Sequence, residues 1–404
     1  MSETSNTSAD TMVVDPKPEG RGLDVTLILA LGTFAVGTDA FIVAGFLPDM
    51  ADALDISTAM AGQSVTAFAV TYAALAPVIA TVTARVPRRR LLVGALLVLC
   101  AANLLAALAP TFAVMLIGRI LSAVGAAAYT PTASAVSASL VRPELRARAL
   151  AVVIGGLTVA TALGVPLGNL AGELLGWRSA LGLVAALCAV GAVGVSLIMP
   201  ALPGNPQVPL KTRLAVLRRP AVTSVLSLTI FGMTASYTVY AYSVPAFESV
   251  GASGGFMPMV LFLYGVGTVI GNICAGYFTD RIGSVRVLTI AYVAMAVGLA
   301  VLAWLSAAEA AVAVLAVVLA LVWGGSSWAQ TPPQQHRLIA EAPQEAPLVV
   351  SLNSSSIYLG IGAGTVLGGL FLPLGAPAVF GAGAVIAVLS LVLLRVSVLV
   401  GRKA

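Results

Sequence analysis

Residues 91–140 read LLVGALLVLCAANLLAALAPTFAVMLIGRILSAVGAAAYTPTASAVSASL, and Arg119 is the one charged side chain among them. A helix needs about 20 apolar residues to cross the hydrocarbon core of a bilayer. The stretch holds two such lengths, divided at Pro110, where a proline cannot continue a regular helix. A spanning β-strand would show alternation over roughly 10 residues, and these runs are continuously apolar. The rest of the chain follows suit. Of its 404 residues, 59% are hydrophobic and 9% charged, and mean hydropathy is +1.02. Soluble domains carry about 25% charged residues. The composition therefore excludes a secreted enzyme, a nucleic-acid-binding domain and a disordered scaffold, and predicts an all-α membrane protein.

Working outward, the apolar runs predict twelve spans: 24–48, 57–83, 91–109, 111–140, 149–172, 179–200, 221–247, 256–278, 286–305, 310–331, 349–372 and 376–400. The polar segment 1–22 is Ser-, Thr- and Pro-rich, is expected to be disordered and lacks the apolar core of a signal peptide. A second polar segment, 201–220, links an N-terminal six-helix bundle (23–200) to a C-terminal one (221–404).

Lysine and arginine favour the cytoplasmic side of a membrane. With a cytoplasmic N-terminus, the inner connections hold Arg85, Arg88, Arg89 and Arg90, then Arg142, Arg146 and Arg148, and later Arg281, Arg286 and Arg337. The linker adds Lys211, Arg213, Arg218 and Arg219, and the C-terminal tail adds Arg402 and Lys403. The outer connections hold Arg178 among Asp49, Asp52, Asp55, Glu173, Glu248 and Glu309. This asymmetry predicts a multi-pass inner-membrane protein with both termini in the cytoplasm, surrounded by lipid and expected to be a monomer.

The halves read as repeats. Sliding Ala80 onto Gly276 aligns the loop between spans 2 and 3 with that between spans 8 and 9. The same shift lays Gly156, Ala160, Gly164, Gly168 and Gly172 of span 5 on Leu352, Ser356, Gly360, Gly364 and Gly368 of span 11. Small residues four apart let a neighbouring backbone approach closely, and Pro166 can bend span 5. That pattern suits helix packing, and also a hinge or a seal between the halves.

Charge inside a span is costly, so two positions stand out. Asp39 lies about nine residues before Pro48, and Arg119 about nine residues after Pro110, which puts both about 13–14 Å from the outer ends of their helices. Burial favours a neutral acid and a neighbouring arginine favours the carboxylate, so the pair suits loading and release of a proton. A permanently ionised structural pair, or an Asp39 that caps backbone near Gly37, fits as well. In loop 8–9, Gly276, Asp280, Arg281 and Gly283 form a GxxxDRxG pattern, readable as a latch between gated states or as ordinary loop electrostatics.

A substrate cavity is expected between the halves near mid-depth. Its candidate lining residues are Gln63, Tyr72, Tyr129, Tyr237, Tyr240, Trp323, Trp328, Asn353 and Tyr358, an amphipathic and mostly uncharged set. Cys100, Cys188 and Cys274 lie in apolar runs and read as inert thiols. The sequence contains no metal-ligand spacing, phosphate-binding loop or Ser/His/Asp group. The chain is accordingly expected to be neither an enzyme nor a cofactor or nucleic-acid binder.

Four segments carry a family resemblance: FAVGTDAFIVAGFLPDMA (34–51), LIGRILSAVGAA (116–127), GLTVATALGVPLGNLAGELLGWR (156–178) and LNSSSIYLGIGAGTVLGG (352–369). Together with loop 8–9 they resemble the major facilitator superfamily, specifically its bacterial twelve-span drug:proton antiporters of the sugar-efflux and chloramphenicol-resistance type. The resemblance covers about residues 24–400. It implies two pseudo-symmetric six-helix bundles and a proton gradient as the energy source. Arg119 matches the arginine that the family associates with proton relay, and Asp39 its embedded acid. Gly164, Pro166 and Gly168 match the antiporter motif of helix 5. Gly276, Asp280, Arg281 and Gly283 match the loop motif. The N-terminal copy of that motif keeps Arg85, Arg88 and Arg89 but has Ala84 and Pro87 where the family has Asp and Gly. Helix 4 has Ala123 where glycine is common.

The expected function is export of drugs, antibiotics or sugar-like metabolites against protons. A proton-coupled importer or facilitator of a nutrient, and a non-transporting sensor or assembly protein, are the alternatives.

Overall fold

The computed structural model describes residues 20–142, 145–204, 209–253 and 255–401. Among them, 12 helices are long and apolar enough to cross a membrane. They are α1 (Asp24–Gly45), α2 (Thr58–Val82), α3 (Arg88–Ala107), α4 (Phe112–Ser139), α5 (Arg148–Leu175) and α6 (Trp177–Ile198). The second set is α7 (Pro220–Tyr240), α8 (Phe256–Ile282), α9 (Ser284–Ala307), α10 (Ala313–Glu341), α11 (Leu348–Leu374) and α12 (Ala376–Leu399).

Three boundaries differ from the sequence expectation. Helix already begins at Gly20, so the polar tail is shorter than 1–22; residues 1–19, Arg402 and Lys403 lie outside the described residues. The first span tightens into a 3₁₀ turn over Ile42–Gly45 and resumes as Leu47–Ala53. The tenth does not stop near 331. A helical segment Thr331–Glu341 follows Trp328, with proline in its first turn, where a missing N–H costs nothing.

Each half packs on itself. In the first, α3 lies on α4 and α6, α1 on α5 and α6, and α2 on α4. In the second, α7 packs on α11 and α12, α8 on α10, and α9 on α12. The bundles meet along two seams, α2 against α11 and α5 against α8. Advancing every helix by six places exchanges those seams, which is the pseudo-symmetry the repeat predicts.

Lipid is as apolar as leucine, so membrane helices associate through close packing and hydrogen bonds. The glycine stripes supply the closeness, and within bundles. On α5, a side chain at Gly156 would strike the Ala30 carbonyl, one at Gly164 the Thr38 hydroxyl, and one at Gly168 the Ile42 side chain, all on α1. On α11, Cβ atoms at Gly360 and Gly364 would come 2.6 and 2.7 Å from the carbonyls of Ile230 and Thr234 on α7. The α5 stripe therefore joins α5 to α1 and does not seal the halves against each other.

The seam with α8 uses another face of α5. Pro166 lacks an N–H, and its ring crowds the preceding turn. The helix widens into a π-turn over Ala160–Gly164 just before it. That turn brings Thr161 and Ala162 onto α8, where the Thr161 and Thr268 hydroxyls hydrogen-bond at 3.0 Å and Gly265 sits against the α5 backbone. In the other seam, Tyr72 of α2 stacks on Tyr358 of α11 with centroids 3.8 Å apart.

At the face rich in acids the halves close on each other. Tyr242, just beyond α7, donates a 3.0 Å hydrogen bond to the Thr365 carbonyl of α11, and its hydroxyl lies over Gly62 of α2. The short helices Leu47–Ala53 and Ser243–Glu248 touch beside it. At the face rich in arginine, a cleft of about 420 Å³ opens between α2, α7 and α11. Leu210 and Leu214 of the linker helix line it.

Two predictions follow from these seams. Gly265→Val forces a side chain into the Thr161 carbonyl and the Ala162 Cα, so it should lower the thermal unfolding temperature sharply. Gly298→Ala, which meets open space, should leave that temperature unchanged or slightly raised.

The second concerns pH. Partial burial, then the Asp52 charge, raises the Asp49 carboxyl above its ordinary range. Partial burial, then the Asp49 charge, raises that of Glu248. The closed face thus holds these protons better than water does. The resulting support is complete below about pH 4 and is lost as pH climbs through the raised values. Spin–spin distances across the acidic face should show the closed population falling as pH climbs above the ordinary carboxylate range. Asp49→Asn with Glu248→Gln should flatten the profile.

Candidate functional site

Asp39 and Arg119 meet. Arg119 Nη1 donates to Asp39 Oδ1 at 2.7 Å, and the two side chains are 1% and 0% exposed. α1 and α4 cross here at the common depth that their prolines predicted. The contact is single and not a two-pronged fork: Asp39 Oδ2 and Arg119 Nε and Nη2 have no hydrogen-bond partner. Arg119 also lies over the Phe68 ring of α2, with Cζ 4.6 Å from its centre. Each charge would be prohibitive alone in this setting, and the pair is tolerable because each offsets the other's desolvation.

Next to the pair, rings from both bundles converge. Tyr358 lies within electrostatic reach of Asp39, Arg119 and Tyr72 on one side and of Tyr237 on the other. Phe41, two residues beyond Asp39, comes within 6.1 Å of Tyr237, 6.2 Å of Tyr240 and 6.2 Å of Trp328, measured between ring centres. Tyr264 of α8 continues the cluster, 4.8 Å from Tyr240 and 4.4 Å from Trp323. A hydroxyl chain runs behind it: Ser327 donates to Ser236 at 2.7 Å, and Tyr264 to Ser327 at 3.5 Å.

The cluster is short of partners. Tyr240 Oη and Trp323 Nε1 are buried without a hydrogen bond. Tyr237 Oη and Trp328 Nε1 turn towards one another, but too loosely to bond with normal geometry. Aromatic polar atoms buried in an ordinary core find a partner.

Of the sequence-predicted lining residues, Tyr72, Tyr237, Tyr240, Trp323, Trp328 and Tyr358 come together between the bundles. Three do not. Tyr129 is buried inside the first bundle, where its hydroxyl donates to the Leu29 carbonyl at 3.2 Å and fills the space over Gly32. Asn353 accepts from Thr229 at 2.9 Å within the second bundle. Gln63 donates to the Ala59 carbonyl of its own helix at 3.3 Å. Sequence reasoning missed Phe41, Phe68 and Tyr264. Their signal was weak: each is one of several rings in its apolar helix, and only Phe41, two places from Asp39, sits near a charge.

The loop motifs stay within their own bundles here. Arg88 donates to the Ala84 carbonyl at 3.0 Å, and Arg89 to the Ser196 carbonyl. Arg85 lies where the linker passes, with Gly204 against its backbone. Arg281 stacks on Tyr277, Cζ 4.1 Å from the ring centre, and Asp280 is exposed at the end of α8. Gly283 has a backbone reason. It joins α8 to α9 at φ 86° and ψ 149°, a region essentially closed to residues with a Cβ. Gly276 faces open space. Among the described residues, no group of three or more His, Cys, Asp or Glu could hold a metal ion.

The family model described as Major Facilitator Superfamily matches residues 29–346 and 226–403. The chain belongs to that superfamily. It is 33% identical over 374 residues to the inner membrane transport protein YdhP of Escherichia coli K12, covering 92% of this chain and 95% of that one. It is 32% identical over 347 residues to a chloramphenicol resistance protein of Streptomyces lividans, covering 84% and 87%. Among solved structures, the POT family transporter PepTSo superposes with a TM-score of 0.77 over 96% of this chain and 99% of that one, at 12% identity. That last likeness is one of fold. By family this chain is a multi-pass membrane transporter, not an enzyme.

The ion pair makes a direct prediction. Arg119→Met strands a buried carboxylate and should cost about 3–5 kcal/mol of stability. Adding Asp39→Asn removes the stranded charge and should restore most of that loss in thermal unfolding in detergent.

Proposed function

We propose that the chain is a proton-coupled exporter in a bacterial cytoplasmic membrane, with both termini in the cytoplasm. Its cargo is small, amphipathic and uncharged or weakly charged, in the range of antibiotics and sugar-like metabolites. The arginine-rich loops support the orientation through the positive-inside rule. The observation that carries the reading is the buried Asp39–Arg119 contact, with one carboxylate oxygen free, beside an aromatic cluster shared by both bundles.

The mechanism works through that free oxygen. A proton reaching Asp39 Oδ2 neutralises the acid and weakens its hold on Arg119. Loss of that attraction loosens α1 against α4, and α1 carries Phe41 into the cluster. The bundles then rock about the α2–α11 and α5–α8 seams, so that cargo and proton bind alternately from opposite sides. In this scheme the cleft at the arginine-rich face is the loading side. The motif arginines Arg85, Arg88, Arg89 and Arg281, with Asp280, act as gate residues that exchange partners between states. The similarity to a chloramphenicol resistance protein supports antibiotic export.

Proteoliposomes loaded with chloramphenicol and given a pH gradient test the proposal. Wild type should move chloramphenicol against the proton flux, and Asp39→Asn should reduce that gradient-driven movement at least tenfold while remaining folded. Undiminished gradient-driven transport by Asp39→Asn would remove Asp39 from the mechanism.

A further inference from the structure

We propose that the cage formed by Phe41, Tyr237, Tyr240, Tyr264, Trp323 and Trp328 is a binding site selective for uncharged, flat-ring molecules that carry hydrogen-bond acceptors, and that it excludes cations. The inference rests on the transport reading for its cargo, and it adds the chemistry by which that cargo is chosen.

Three observations carry it. The cage bridges the halves: Phe41 belongs to the first bundle, and the other rings sit on α7, α8 and α10 of the second. Rocking pulls these rings apart, and a flat molecule between them recovers the lost stacking.

The second observation is the set of unmet polar atoms. Trp323 is 1% exposed and Tyr240 is 2% exposed, yet Trp323 Nε1 and Tyr240 Oη have no partner. An indole N–H can only donate, so what meets it must accept. Trp328 Nε1 adds a second donor of the same kind. The site is therefore rich in donors and asks for carbonyl, ether or nitro oxygens. Such unmet groups discriminate strongly, because a ligand without the acceptor leaves them stranded.

The third observation is charge. Asp39 is the one buried carboxylate near the cage, and Arg119 already neutralises it. The other described acids of the first bundle and of the α7–α10 connections lie at its two faces: Asp24, Asp49, Asp52, Asp55, Glu173, Glu248, Asp280 and Glu309. A cation entering the cage would lose its water without gaining a counter-charge. Electron-rich ring faces attract cations, but this attraction is small against desolvation of a full charge.

The test is equilibrium binding by titration calorimetry, with the full chain in lipid nanodiscs and no gradient. The probe is N-methyl-4-nitro-1,8-naphthalimide, which is flat, uncharged and purely an acceptor. Its counterpart carries a trimethylammonioethyl group on the imide nitrogen. Wild type should bind the neutral probe at least tenfold more tightly than the cationic one. Tyr240→Phe keeps the ring and deletes one donor, Trp323→Phe keeps an aromatic ring but deletes the indole N–H and part of the stacking face, and each should weaken the neutral probe about tenfold. Equal or tighter binding of the cationic probe would overturn the proposal, as would wild-type affinity for the neutral probe in both variants. The comparison of the two probes on wild type stands even if a variant does not fold. Because no gradient is applied, an intact Asp39→Asn exporter would sink the proton mechanism and leave this binding result untouched.

Discussion

A charge inside a bilayer must be answered by another charge, and Asp39 and Arg119 answer each other across 2.7 Å. That requirement fixes how deep α1 sits against α4. It also governs the neighbourhood. With both charges used on each other, the surrounding groups are aromatic rings and hydroxyls: Phe68 under the guanidinium, Tyr358 beside it, and Phe41 leading away into the second bundle. The contact uses one oxygen of the carboxylate and one nitrogen of the guanidinium, leaving the remaining polar atoms free. A pair built this way is held firmly enough to fold and retains unused capacity to change partners.

The second constraint is that lipid offers helices no hydrophobic reason to associate. The chain meets it with glycine. The stripes on α5 and α11 let backbones touch those of α1 and α7, making each bundle a tightly fitted body. The seams between bundles are also extensive, but hold few side-chain hydrogen bonds. They rest on a threonine pair at 3.0 Å, a tyrosine stack and a few glycine contacts. Strong packing inside and sparse polar contact between is the arrangement that lets two rigid units move against each other. The π-turn before Pro166 serves both purposes, since it keeps the glycine face on α1 and turns Thr161 towards α8.

Much of this was legible in the residues. The apolar runs and their separating prolines marked twelve spans, because hydrocarbon thickness imposes one length on every helix. Counting from Pro48 and Pro110 put Asp39 and Arg119 at one depth. Other features were not legible. Tyr129 and Tyr237 look alike as tyrosines in apolar helices, yet one is committed to the Leu29 carbonyl inside its own bundle and the other meets Phe41 of the opposite bundle. A stripe of glycines shows that something packs closely but not what does, so the α5 stripe suited a seal between halves until α1 was found against it.

The amino-acid sequence by itself determined the class of protein, the number of spans, the repeat and the two charges that could not be left alone. Each of these is a property of one helix and its solvent, and so depends only on local composition and length. Tertiary structure decided the rest: which face of α5 meets which neighbour, that Phe41 and Tyr264 join the cage, and which buried donors go unmet. These depend on the rotation of each helix about its own axis. That rotation is set jointly by all the surfaces it touches, because nearly uniform apolar helices carry little amphipathic signal to orient them.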